Sequence, residues 1–143
     1  MKYDVISFDF VGTLAYETKG EGILIKSILN GFGLKVDIQR IRRAFEETKE
    51  WWRRERAKGV IWNESSRLDY VRVLLSNLGI NHQDRNLAVL VARAWPEVIE
   101  LRAYEDTKPT LEILRSMGFR LILLSNVSSE NNLRKYVTKV DLS

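Results

Sequence analysis

An apolar run that ends in a carboxylate and passes at once into a turn constrains this chain more than any other feature. In SFDFVGTL, residues 7–14, Asp9 closes a run begun at Tyr3, and Gly12 with Thr13 marks a tight turn. The run YDVISF is too short for an independent helix and rich in β-formers, so it reads as a short buried strand over residues 3–8. A second run, FRLILL at residues 119–124, is nearly continuous in apolar residues and ends in Ser125 and Asn126. Its pattern predicts a parallel strand covered on both faces. Ligands of open parallel sheets bind beyond the carboxyl ends of the strands, which is where both runs place polar side chains.

The chain between these runs is helical in pattern. Ile23, Leu24, Ser27, Ile28 and Phe32 recur at three- and four-residue spacing before Gly31 and Gly33 close the segment. In the next helix Ile38, Ile41, Phe45, Thr48 and Trp52 share a face, with Asp37 as cap and Gly59 as stop. A third carries Leu68, Val71, Leu74, Leu75 and Leu78 behind a polar cap at residues 63–66. A fourth begins with a capping Asp84 and carries Leu87, Leu90, Val91 and Trp95, with Pro96 expected to kink or break it. Four consecutive helices can close as a small bundle. The expected division is therefore a core made of residues 1–19 and 102–143 and an inserted helical cap over 20–101.

After the bundle, DTKPTLEILRSMG predicts a compact helix with Thr107 or Lys108 at its cap, Pro109 in its first turn and Gly118 at its end. A last helix follows Ser128 or Ser129 and presents Leu133, Tyr136, Val137 and Val140.

Composition narrows the partners. Among 143 residues, 45% are hydrophobic and 29% charged, and no membrane-length apolar run interrupts them. No cysteine is present, which excludes disulfides and thiolate metal sites, and the opening MKYDVISFDF lacks the pattern of a secretory signal, so a cytoplasmic protein is expected. The net charge of +4 comes from 23 basic and 19 acidic residues that are interspersed along the chain. The stretch WWRRERAK has aromatic and basic groups that nucleic acids use. Trp52 nevertheless falls on the apolar stripe with Ile41 and Phe45, and Glu46, Glu47, Glu50 and Glu55 alternate with the cations, so a solvated helix face is expected and nucleic acid is not.

If the two strands are neighbours, Asp9, Thr13, Ser125 and Asn126 converge on one crevice. The amides of the VGT turn and the Ser125 hydroxyl are then suited to the oxygens of a phosphate or carboxylate. The plainer reading of Asp9 is a strand-end carboxylate that caps the following turn, and of Thr13, Ser125 and Asn126, ordinary turn or cap groups. Asp4 reads as an exposed strand residue and His82, the only histidine, as a loop residue ahead of a helix.

Taken together, ISFDFVGTL, a helical insertion after it, and YEDTKPTLEILRSMGFRLILLSN resemble the haloacid dehalogenase-like hydrolase superfamily over the layout of the whole chain. The resemblance implies an α/β fold, a Rossmann-like parallel core with an inserted helical cap. It implies Asp9 as a nucleophile that forms a covalent aspartyl intermediate on phosphorus or carbon. Thr13 would orient Asp9, and Ser125 with Asn126 would hold the oxygens of a small anionic substrate. In phosphatase members magnesium would lie between Asp9 and the main-chain carbonyl of Val11, and dehalogenase members need no cofactor.

Two departures from the family qualify this expectation. The phosphatases carry an acid/base Asp two residues after the nucleophile, where this chain has Val11, and losing such a group costs on the order of a hundredfold to ten-thousandfold in rate. The family's later Lys and acidic metal ligands are not recognisable. The sequence therefore also fits an inactive or truncated domain that serves as an interaction module, or a core completed by a homodimer or a second chain.

Overall fold

The computed structural model describes residues 3–83 and 86–142. In chain order its elements are β1 (Val5–Phe8), β2 (Ala15–Glu17), α1 (Glu21–Gly31), α2 (Ile38–Ala57), α3 (Glu64–Asn77), α4 (Leu87–Val98), β3 (Leu101–Ala103), α5 (Thr107–Ser116), β4 (Arg120–Leu123) and α6 (Glu130–Lys139). They form two units, one spanning Lys19–Ile99 and the other made of the chain on either side of it.

In the Lys19–Ile99 unit each of α1 to α4 packs on the next, and α1 closes onto α4. Ile25, Leu29, Ile41, Leu74, Leu75 and Val91 are fully buried between them. Burial of a side chain of this size is worth about 1.5–3 kcal/mol, so this group dominates the unit's stability. The stripe of α1 is shifted from the sequence expectation. Leu24, Ile25, Ile28 and Leu29 are buried, whereas Ile23 and Phe32 are exposed. Facing two neighbours, α2 and α4, widens the stripe into adjacent i, i+4 rows and leaves Ile23 outside.

Caps behave as local chemistry demands. The Asp37 carboxylate accepts from the amides of Gln39 and Arg40 and starts α2. Asn63 and Ser66 exchange side-chain and backbone bonds as a reciprocal box at the start of α3. Asp84, expected as the cap of α4, lies outside the described residues, and the residue preceding that helix is Asn86 in a left-handed conformation. Pro96 does not break α4, which continues to Val98.

A proline inside a helix leaves the carbonyl four residues earlier without its donor, here Ala92. That carbonyl accepts instead from the Arg67 guanidinium of α3. Arg67→Met is therefore expected to cost about 1–3 kcal/mol. In a Pro96→Ala background, where a backbone amide can serve Ala92, the cost should be smaller. A double-mutant cycle read by urea unfolding checks this, and equal costs in both backgrounds would refute the compensation.

The two tryptophans of WWRRERAK are drawn into packing, while Arg53, Arg54, Arg56 and Lys58 stay exposed. Trp51, Trp52, Trp62 and Tyr70 contact one another in a ring, with successive centroids 6.2, 5.0, 5.7 and 6.5 Å apart. Burial, followed by the charges of Glu21 and Glu46, pushes the Tyr70 hydroxyl well above the ordinary tyrosine range.

The second unit is built on two short ribbons. β1 and β4 are parallel, with Val5↔Arg120, Ile6↔Leu121, Ser7↔Ile122 and Phe8↔Leu123 in register. β2 and β3 are antiparallel, from Ala15↔Ala103 to Glu17↔Leu101. Sequence reasoning missed β2 and β3 because strands this short carry no readable period. Beyond their ends the Thr18 amide donates to the Glu100 carbonyl, so the chain leaves and re-enters this unit at adjacent points.

The expectation that β4 is covered on both faces is not met. Burial alternates in phase along β1 and β4. Ile6, Phe8, Leu121 and Leu123 lie on a half-buried face, while Val5, Ser7, Arg120 and Ile122 lie on an open one. α5 packs against β4, and on the open face Val5, Ser7, Arg120 and Ile122 are all exposed.

Candidate active site

Asp9 follows directly on β1, and the Leu124 amide donates to the Phe8 carbonyl at 2.8 Å, which extends the parallel ladder one residue past β4. Asp9 therefore stands level with Leu124, and Ser125 is the next residue on the neighbouring strand. Regular continuation of the ladder, with strands about 4.8 Å apart and a rise of about 3.3 Å per residue, corresponds to roughly 6 Å between the Asp9 and Ser125 Cα atoms. The two strand ends are brought together at the carboxyl edge of one sheet.

The turn after Asp9 is organised around a carbonyl, not around the carboxylate. The Phe10 carbonyl accepts from the amides of Thr13, Leu14 and Ala15 at 3.2, 2.8 and 3.1 Å. The Gly12 amide donates to the Ala15 carbonyl at 2.7 Å, and Gly12 has φ of 88°, which explains a glycine there. The Phe10 side chain is fully buried and anchors the turn.

This bonding corrects the expectation that the VGT amides bind an anion. The Gly12 and Thr13 amides are consumed inside the turn, whereas among the described residues those of Phe10 and Val11 have no acceptor. It also removes the plainer reading of Asp9, since the turn amides serve the Phe10 carbonyl and the exposed Asp9 carboxylate makes no hydrogen bond or ion pair among the described residues. Thr13 is exposed and is not bonded to Asp9. Ser125 is half-buried, Asn126 is exposed, and neither side chain has a hydrogen-bond partner among the described residues. Four polar side chains with unused bonding capacity thus flank the strand ends.

Two positioning residues escaped the sequence reading. Thr107, expected to cap α5, is instead its first residue, and its buried hydroxyl donates to the Leu14 carbonyl at 2.7 Å. The Tyr104 amide donates to the same carbonyl, so the turn after Asp9 is tied to the start of α5. Asn132 is buried and donates from Nδ2 to Ser128 Oγ at 2.9 Å, while its amide donates to Ser129 Oγ. These bonds tether the loop that follows Ser125. SSENN carries the signal of a helix cap, but the tether depends on which residue turns inward. His82 lies far along the chain in the helical unit, beside Ser76 Oγ at 3.3 Å.

Among the described residues no three His, Cys, Asp or Glu side chains gather in one place. The magnesium donors that the resemblance implies at this edge would be the Asp9 carboxylate and the Val11 carbonyl. Magnesium keeps several waters and binds through one or two carboxylates plus substrate phosphate, so this pair fits the ion only together with a phosphorylated substrate and water. No helix among the described residues is long and apolar enough to cross a membrane.

Comparison with solved structures places this geometry in a known fold. A predicted phosphoglycolate phosphatase from Haemophilus somnus 129PT superposes with a TM-score of 0.60 at 15% identity, over 99% of this chain and 59% of that one. A dehalogenase superposes with a TM-score of 0.56 at 20% identity, over 96% of this chain and 57% of that one. The chain thus spans less than two thirds of the length of either neighbour. No protein-family model matches it, and no curated protein does. The fold is haloacid dehalogenase-like, a partial Rossmann-like parallel core with a helical cap.

Proposed function

We propose that the chain is a haloacid dehalogenase-like hydrolase that acts on a small anionic substrate, a phosphorylated or halogenated acid, through Asp9. The observation that carries this reading is the parallel register that sets Asp9 beside Ser125 at one sheet edge. In it the Lys19–Ile99 unit is the cap and the remaining chain the core.

An Asp9 carboxylate oxygen attacks the phosphorus or carbon that bears the leaving group. A new O–P or O–C bond forms as the bond to the leaving group breaks with its electron pair. Water then hydrolyses the ester, releases its proton to solvent and restores the carboxylate. Ser125, Asn126 and the amides of Phe10 and Val11 hold the non-reacting oxygens, and Thr13 orients Asp9 in the loaded site. In a phosphatase reaction the Asp9 carboxylate and the Val11 carbonyl would hold magnesium, which would supply charge neutralisation.

Val11 decides which leaving groups suffice. A halide departs as a stable anion and needs no proton, whereas an alkoxide does, and valine has none to give. Purified protein is therefore expected to release chloride from a short 2-chloro acid, or phosphate from an aryl monoester with magnesium, far faster than phosphate from an alkyl monoester. Both activities should disappear in Asp9→Ala. Folded wild-type protein with no Asp9-dependent product from any of the three would overturn the proposal in favour of a non-catalytic interaction domain.

A further inference from the structure

Parallel sheets occur almost only with both faces covered, yet the β1–β4 sheet leaves one face open. That face carries one exposed apolar side chain at each level, Val5 45%, Ile122 42% and Leu124 64% exposed, with Ser7 beside Ile122. The structural neighbours match nearly all of this chain, and about two fifths of their own length lies outside the match.

The ends of the face differ in sign. Arg120 stands at the amino end, level with Val5, and Asp9 at the carboxyl end, level with Leu124. Continued through Asp9, the two-residue pleat places Val5, Ser7 and Asp9 on the same side as Arg120, Ile122 and Leu124. A two-fold axis across the strands superposes opposite ends and brings each Arg120 to the partner's acidic end. An axis along the strands superposes like ends and forgoes that attraction. The surface is self-complementary in apolar character and in charge, as an isologous contact requires.

We infer that two copies of this chain stack the open faces of their β1–β4 sheets with strands antiparallel, each Arg120 beside Asp9 of the other copy. The arrangement supplies a cation next to Asp9, which has no ion-pair partner within the described residues of its own chain. It draws on the same carboxylate as the catalytic reading but is read by mass, not turnover, so the failure of either is told from the failure of the other. A face of about six residues a side is small, and dissociation on the order of 10–100 μM is expected.

Sedimentation velocity on the full chain from about 5 to 500 μM tests it. Wild type should pass from monomer to dimer, and Ile122→Lys should remain monomeric throughout. Ser7→Arg, at an exposed position of the same face, serves as a second disruption should Ile122→Lys fail to fold by circular dichroism. Arg120→Glu should weaken association at least tenfold, and Arg120→Glu combined with Asp9→Arg should restore it. A wild type that is monomeric across the range, assembles beyond a dimer, or dimerises regardless of Ile122→Lys and Ser7→Arg overturns the inference. Charge reversal without restoration overturns the antiparallel arrangement.

Discussion

Replacing Asp9 by asparagine is expected to leave the protein folded and to abolish turnover. The carboxylate is exposed and bonded to nothing among the described residues, so the isosteric amide removes no internal contact. Surface substitutions of that kind stay within about 0.5 kcal/mol in stability. A neutral amide oxygen is a far poorer nucleophile than a carboxylate, and loss of a covalent nucleophile lowers kcat on the order of 10⁴–10⁶-fold. The measurement pairs a thermal melt with product release at saturating substrate. An unchanged melt with activity at background supports the nucleophile, and activity within tenfold of wild type removes Asp9 from that role.

Val11→Asp is expected to produce the opposite change, a gain. The Val11 side chain is 37% exposed, and its bridge to Ala15 is a backbone contact, so a carboxyl group enters without opening a cavity. It lies two residues from Asp9, where a leaving alkoxide could take its proton. A positioned general acid contributes on the order of 10²–10⁴-fold, so magnesium-dependent hydrolysis of an alkyl monoester should rise by that amount. Chloride release, which needs no proton on the leaving group, should not rise. If alkyl phosphate hydrolysis stays flat while the aryl ester is turned over, the barrier lies elsewhere than in the missing acid. The two substitutions together separate bond making at Asp9 from proton supply at Val11.

Much of the site was legible because its signals are local. An apolar run closed by a polar residue marks a strand end whether or not the partner strand is known, and both Asp9 and Ser125 were found in this way. The turn between Asp9 and Ala15 was also legible, since Gly12 with positive φ is a local demand. What the turn does with its amides was not. That they serve the Phe10 carbonyl, leaving those of Phe10 and Val11 unused, depends on a buried Phe10 ring and on the tie from Thr107 to Leu14. Thr107 is distant in sequence and looks like a cap, so no pattern of neighbours distinguishes the two roles.

The sequence by itself determined the helices, their caps at Asp37 and Asn63, and the two polar strand ends. Each rests on a 3.6-residue repeat or on hydrogen bonds spanning only a few residues. Only the tertiary structure decided that Asp9 and Ser125 share one sheet edge, that β2 pairs with β3, that Arg67 serves the carbonyl Pro96 leaves bare, and that one sheet face stays open. These depend on which distant segments meet once the chain closes. Burial and register are properties of pairs of elements, and no single segment encodes them.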